Sequence, residues 1–361
     1  MAAARWTVCP PCGQTVAVTD LHLWIRSENR PTEQRVPVVP ADAARLVATG
    51  ARVTVEESPQ RIFPVEEYAR AGCEIAPEGA WVTAPPTAYI VGIKELPDEP
   101  AELRHTHILF AHAFKGQQGA AELLGRFARG GGELLDLEYL TVDGRRVVAF
   151  GRWAGYVGAA LGVLAHRGAL VTPLTPTDHP TLHTSLVSPG SATPRALVIG
   201  AFGRSGGGAV DALHTAGCEV TRWGMTQTAV LDKEALREHE LLVNCVVTTA
   251  PQAPFVEVSD LAVPRRRLCV VADVTCDVTS DHNLVPVNTA VTTWADPVRR
   301  VHDEPPLDVI AIDNLPSLVP REASTSFSAE LTPLWDDLAL HRGPWAAARA
   351  TFEAAMRARD G

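Results

Sequence analysis

The chain has 361 residues, of which 46% are hydrophobic and 20% charged, with a formal net charge of −10 and seven cysteines. That length suits two domains of ordinary size with sizeable cores, and an acidic chain without a run of five like charges argues against a nucleic-acid surface. No apolar stretch approaches the length needed to cross a bilayer, and an odd, sparse set of cysteines fits reduced thiols rather than a disulfide framework.

Residues 1–20 lack the apolar core of a secretory signal and read as an N-terminal extension, so the cytoplasm is the expected location. Cys9 and Cys12 form a CxxC, but no second Cys or His pair stands at zinc-finger spacing, and no metal is expected. Residues 21–25 and 52–54 read as strands. Between them an amphipathic helix over 41–50 ends on Gly50, as a C-cap should. Further strands are expected at 88–93, 107–111 and 134–140, with a helix over 117–130. The segment 166–194, rich in Pro, Thr, Ser and His, has no helical period and reads as a long connection. Beyond it come a strand at 195–199, a helix at about 205–216, and strands at 219–223, 241–246 and 268–274. The tail from about 333 to 358 is expected to be helical, packing through Trp345, Ala348, Phe352 and Met356. Strands alternating with helices imply an α/β fold with parallel sheets. The expected division is an extension (1–20), one domain from 21–150 plus 325–361, and a second from 151–324.

Two apolar strands carry an ionisable side chain near their exits. Lys94 follows the run 88–93, and His112 follows 107–111. Ligands bind beyond the carboxyl ends of parallel strands. A desolvated lysine gives up its proton more readily, and histidine titrates near neutrality, so the two suit acid–base work on one ligand. Taken singly, Lys94 reads as a solvated strand-end lysine and His112 as a core histidine; it is the two together that point to a site. His105, His107 and His112 crowd one stretch with no accompanying carboxylate motif, so no metal is assigned to them.

A glycine loop, GAFGRSGGGA, opens at Gly200, directly after an apolar strand and before a helix. Gly200, Gly203 and Gly206 stand three apart, where glycines admit a tight bend and let a pyrophosphate approach the helix N-terminus. The spacing GxxGxxG is weaker than GxGxxG, and a plain flexible turn is the competing reading. The next strand ends in Thr221-Arg222-Trp223-Gly224, without the acidic residue that holds an adenosine ribose. Arg204 or Arg222 could instead receive a 2′-phosphate, which leaves NADP open beside NAD. Asp273 and Asp277 read as a strand end and turn beside the nicotinamide rather than as a cation site.

The segments LHLWIRSENRPTEQRVPVVP (21–40), VGIKELP (91–97), HILFAHAFKGQ (107–117), LLDLEYL (134–140), GRRVVAFG (144–151), GAFGRSGGGA (200–209) and IDNLPSLVPREAS (312–324) occur in that order. This set resembles the NAD-dependent, lysine-forming saccharopine dehydrogenases, of the wider alanine dehydrogenase group, over roughly residues 21–345. The resemblance implies two Rossmann-like domains enclosing an interdomain cleft. It also implies reversible oxidative cleavage of a secondary amine joining an amino acid such as lysine to a 2-oxo acid such as 2-oxoglutarate. Lys94 matches the lysine that accepts the amine proton and His112 the histidine that assists imine hydration, with Glu95 and Glu138 as acidic neighbours. Arg35 and Arg146 match arginines that hold substrate carboxylates, and Lys115, Gln117 and Phe150 line the same pocket. Gly200, Gly203, Arg204, Ser205, Gly206, Thr228, Val247, Val274, Ile312, Asp313, Asn314 and Leu315 match cofactor contacts.

The chain departs from that family at three places. Gly224 replaces the ribose-binding aspartate, Ser205 replaces a cysteine found in some members, so that no disulfide to Cys245 can form, and TWADPVRRVHDEP (293–305) does not follow the pattern. The expected partners are small molecules only, an amino acid and a 2-oxo acid, without nucleic acid or membrane, and the chain is expected as a monomer or small homo-oligomer. Competing readings are a relative in specialised metabolism with another amine or oxo acid, an alanine dehydrogenase-like deaminase, and a non-catalytic dinucleotide-binding regulator.

Overall fold

A computed structural model describes residues 6–8, 15–17, 21–188, 190–248 and 250–360; Cys9 and Cys12 lie outside them. Two compact units separate by their internal contacts, Met1–Ala149 with Ala323–Gly361, and Phe150–Glu322. Of the first segment, Trp6–Val8 and Thr15–Ala17 pair as a short antiparallel ribbon.

The first unit is built on six strands: β1 (His22–Ile25), β2 (Arg52–Glu56), β3 (Glu74–Ala76), β4 (Tyr89–Val91), β5 (Thr106–Leu109) and β6 (Glu133–Asp136). Their order is β3-β2-β1-β4-β5-β6, and every neighbouring pair is parallel. The chain therefore builds outward from β1 on one side, then returns to build on the other. The switch point lies between β1 and β4, where a doubly wound sheet opens its ligand crevice. All four residues of β1 are buried, as a sheet covered on both faces demands. Trp24, Ile90, Leu109, Phe127 and Leu134 form its core with Phe352, from the helix Pro344–Asp360, so the C-terminal helix completes this unit.

The second unit carries β7 (Ala196–Ile199), β8 (Val220–Trp223), β9 (Leu241–Asn244), β10 (Val270–Asp273), β11 (Arg299–Asp303) and β12 (Pro306–Ile310), in the order β8-β7-β9-β10-β12-β11. Five strands are parallel, and β11 closes one edge antiparallel to β12. Alternate residues of β7 feed two cores. Ala196 and Val198 pack with Leu161 and Leu213 on one face, and Leu197 and Ile199 pack with Leu242 and Phe255 on the other. On the first face, a helix over Gly151–His166 lies against the helix Arg204–Thr215 that follows the glycine loop. Their backbones nearly touch, since a Cβ on Gly155 would fall 1.8 Å from the Ser205 carbonyl oxygen.

Several expectations are corrected in detail. The segment 166–194 is not helix-free: His179–Leu186 is helical, because the Asp178 carboxylate accepts the Thr181 N–H at 2.8 Å and caps it. The run 134–140 stops being a strand at Asp136, whose carboxylate takes the Glu138 N–H and turns the chain into a 3-10 turn over Leu137–Tyr139. The helical tail is broken between Leu338 and Pro344, where His341 and Gly343 take positive φ. The antiparallel β11–β12 hairpin lay within and beyond the segment that matched no pattern. Among the described residues, no helix is long and apolar enough to cross a membrane.

One core residue ties stability of the first unit to pH. His107 on β5 is fully buried, packed edge-on to Trp81 at 5.2 Å and Phe127 at 5.5 Å, and neither ring nitrogen has a hydrogen-bond partner among the described residues. Burial, then the charges of Arg26, His105 and Arg126, push its pKa well below the ordinary 6.5. Below that value the unfolded chain binds a proton that folded His107 refuses, so stability held at neutral pH is lost as pH falls. His107→Leu should lose less stability than the wild type between pH 7.5 and 5, by up to about 1.4 kcal/mol per unit below the ordinary value. Urea midpoints across that range measure it, and parallel curves for the two proteins would contradict it.

Candidate active site

The switch point of the first sheet brings the exits of β1 and β4 together. After β1 come Arg26, Ser27 and Glu28; after β4 come Gly92, Ile93 and Lys94. The Glu28 carboxylate accepts the N–H of Ile93 at 2.6 Å and that of Lys94 at 3.0 Å. The Arg26 guanidinium donates to the carbonyl oxygen of Lys94 and, at 3.2 Å, to that of Glu95. Arg26 and Glu28 are buried and pair with each other at 3.3 Å. The Lys94 peptide is thus gripped on its donor side by an acid and on its acceptor side by a base. Gly92 leaves the room for this, since a Cβ there would stand 2.6 Å from Arg26 Nε. Burial pushes the Glu28 pKa up, against the pull of Arg26 and the two backbone N–H groups.

Lys94 itself is half-buried and acts on two carboxylates nearby. Burial works against the charge of Glu95, but its bond with Arg30 and the Lys94 charge hold it below the usual range. Glu33 is held down likewise, with Arg35 and then Lys94 outweighing burial. Arg35, expected at a substrate carboxylate, is only 3% exposed, and its fork is taken by Glu33 at 2.8 and 2.6 Å. The structure gives that guanidinium a carboxylate of its own chain.

His112 lies three residues beyond β5, at a φ of 50°, a conformation uncommon for a residue with a side chain. Glu138, in the turn after β6, is the hub of this neighbourhood. One carboxylate oxygen accepts from Lys115 Nζ at 2.8 Å and Arg146 Nη2 at 2.7 Å, and the other lies 3.8 Å from His112 Nδ1. The latter is an ion-pair distance rather than a hydrogen bond. The His112 imidazole, with Lys115 and Arg146, holds Glu138 down to about 2 despite burial. Two residues earlier, Asp136 is buried and pushed up to about 6 by desolvation, opposed by the N–H groups of Glu138 and Ala111. Two carboxylates set side by side with their affinities for protons driven apart are a common mark of acid–base sites. Gln117 accepts the Lys115 N–H at 2.7 Å and fixes that loop.

In the second unit the cofactor candidates all fall at the carboxyl edge of the sheet: Gly200–Gly206 after β7, Thr228 beyond β8, Val247 after β9, Val274 after β10, and Ile312–Leu315 after β12. The switch point here lies between β7 and β9. Gly200 has a φ of 80°, and a Cβ on it would meet Val246 Cγ2 at 2.9 Å. A Cβ on Gly206 would fall 2.1 Å from the Gly200 carbonyl oxygen, whereas one on Gly203 meets nothing nearer than 3.4 Å. Two glycines close the turn tightly and the third keeps an outward face open, which fits the phosphates of a dinucleotide. Arg204 and Ser205 open the helix that follows. Val247 and Asp313 are exposed, Ile312 and Leu315 are buried, and Asn314 takes a φ of 73°. Phe150 opens this unit as the residue before the helix Gly151–His166, whereas Arg146, four residues earlier, belongs to the first unit.

Residues 24–157 match the family described as Alanine dehydrogenase/PNT, N-terminal domain. The saccharopine dehydrogenase [NAD(+), L-lysine-forming] of Schizosaccharomyces pombe is 40% identical over 336 residues, spanning 86% of this chain and 91% of the relative. The enzyme of the same name from Neurospora crassa is 42% identical over 339 residues, 88% of this chain and 91% of the relative. The chain belongs to the saccharopine dehydrogenase family. Among solved structures an L-alanine dehydrogenase superposes with a TM-score of 0.66 at 16% identity, covering 92% of this chain and 94% of that one. A transhydrogenase from Sinorhizobium meliloti gives 0.63 at 15% identity, covering 87% and 92%. Both likenesses bear on the fold, and the α/β reading with Rossmann-like parallel sheets holds.

For this saccharopine dehydrogenase relative, sequence reasoning passed over Arg26, Glu28 and Asp136. The signal for the first two was available: they leave β1 as Lys94 leaves β4, and the strand-exit argument applies to both. Gly92→Ala should displace the Arg26 guanidinium and disturb the grip on Lys94. Overpacking of this kind costs about 1–3 kcal/mol. We expect a stability loss in that range with at least a tenfold fall in turnover (~1.4 kcal/mol) and unchanged NADH affinity. Full turnover in a variant of wild-type stability would show that the grip is dispensable.

Proposed function

We propose that the chain is a saccharopine dehydrogenase, cleaving saccharopine oxidatively to L-lysine and 2-oxoglutarate and running in reverse as a reductive amination. The observation that carries this reading is the pair of proton-handling groups at adjacent strand exits. Lys94 is held by Glu28 and Arg26 after β4, and His112 faces Glu138 after β5.

NAD, held at the glycine turn of the second unit, supplies the hydride acceptor when bound. Lys94 takes the proton of the substrate's secondary amine, which frees the nitrogen lone pair to assist loss of hydride from carbon. Its charge is balanced by Glu33 and Glu95, which feel it in turn. His112 then serves as base for the water that adds to the imine carbon, and as acid toward the departing lysine nitrogen. Glu138 stays ionised throughout and steadies the imidazolium formed in the first of those steps. Arg146 has a side chain 41% exposed, so a substrate carboxylate can share its fork with Glu138. Lys115 and Gln117 bracket the same loop, and Arg35 acts as fixed positive charge behind Glu33. Phe150 is assigned to the apolar part of the substrate, and the residues at the carboxyl edge of the second sheet to the dinucleotide. The setting we assign is the cytoplasm, where the free thiols of Cys73, Cys218, Cys245, Cys269 and Cys276 stay reduced.

NADH consumption at 340 nm with lysine and 2-oxoglutarate, beside a panel of other amines and oxo acids, tests the substrate. Consumption that requires both of that pair is expected, and turnover only with a different pair would replace the substrate while keeping the chemistry. Lys94→Met should cut turnover by ~10²-fold, the scale of losing a general acid–base group, with NADH binding unchanged. Undiminished turnover would remove Lys94 from the mechanism.

A further inference from the structure

The mouth of β8 has an unusual make-up for a dinucleotide site. A dinucleotide site that selects NAD over NADP places a carboxylate at the end of the strand after the glycine loop, about twenty residues on, where it binds the ribose hydroxyls and repels a 2′-phosphate. Here that position is Gly224, and its N–H is engaged by the Gln227 side chain at 2.9 Å. No acidic residue occurs from Val220 through Leu231, from Ala196 through Val210, or from Cys245 through Val256. The charges in those three stretches are Arg204, at the start of the helix after the glycine loop, and Arg222, exposed two residues before Gly224.

The space a side chain would take at Gly224 is instead covered by an aromatic ring. A Cβ built there would lie 2.9 Å from Phe202 Cδ2 and 3.0 Å from Cε2. Phe202 is 76% exposed although it sits inside the glycine loop, and Met225, next to Gly224, is 89% exposed. An exposed phenyl and thioether on either side of a glycine have no core to serve, and together they make a flat apolar platform of the kind adenine rings stack on.

We infer that this chain binds the adenosine half of its cofactor through that platform and not through a ribose carboxylate, and that it accepts a 2′-phosphate there, using NADP as well as NAD. The inference rests on the dinucleotide reading of the second unit. Removing the carboxylate removes the like-charge repulsion that disfavours a 2′-phosphate in a selective site. Arg222 and Arg204 leave a net positive field in its place.

Calorimetric titration of the full chain with ADP-ribose and with 2′-phospho-ADP-ribose tests this without any turnover. Dissociation constants within about fivefold of each other are expected (under ~1 kcal/mol). Gly224→Asp should weaken 2′-phospho-ADP-ribose by on the order of 10²-fold while leaving ADP-ribose as tight or tighter. Because the new side chain meets Phe202, the double change Phe202→Ala with Gly224→Asp is titrated beside it. Arg222→Glu should weaken the phosphorylated ligand alone. A wild-type preference of 10²-fold for ADP-ribose would overturn the inference and leave the dinucleotide site standing. Binding of neither ligand would overturn the dinucleotide reading, and the inference with it.

Discussion

The grip on the Lys94 peptide is the constraint on which the first unit's chemistry depends. A lysine side chain has four rotatable bonds, so its amine is placed only as well as its backbone is. Here that backbone leaves β4 with its N–H on Glu28 and its carbonyl on Arg26, and the two clamps are paired to each other. Breaking a buried ion pair by removing one partner leaves an uncompensated charge and is costly, so the clamp is stiff in both directions. The topology makes it possible, because the reversal between β1 and β4 is the place where two strand exits diverge and leave room for side chains to converge.

The neighbouring exits extend the same logic. β5 delivers His112 and β6 delivers Asp136 and Glu138, with Glu138 drawn strongly ionised by the cations around it while burial keeps Asp136 inclined to hold a proton. Acid and base roles follow from environment rather than from residue type. In the second unit the same edge is shaped by the glycines of the turn after β7, with the buried Asp273 at the end of β10, whose carboxyl burial pushes up. The two Rossmann-like sheets are thus alike in where their functional residues stand and unlike in what those residues are.

Much of this was legible in the sequence. Apolar runs of strand length, alternating with helical periods, fix an α/β fold, and Lys94 and His112 stand out because a charge at the end of an apolar run is conspicuous. Gly200 and Gly206 are legible because nothing else tolerates their positions. What escaped was of two kinds. Arg26 and Glu28 carry charge in a segment crowded with charges, IRSENRPTEQR, and only the strand order shows that they meet Lys94; pairing across 66 residues of sequence has no local signature. The helix His179–Leu186 escaped because it is a short one set by an aspartate cap amid prolines, where pattern is weak and a single side-chain bond decides.

The most direct test of Lys94 as the proton acceptor is chemical rescue. In Lys94→Ala, small primary amines added to saccharopine and NAD should restore NADH formation in proportion to their concentration. Efficiency should follow the amine's basicity and size, since a free amine then occupies the vacated position and performs the same proton transfer. A rate independent of added amine, in a variant that still binds cofactor and substrate, would contradict the assignment and shift the proton-accepting role to another group.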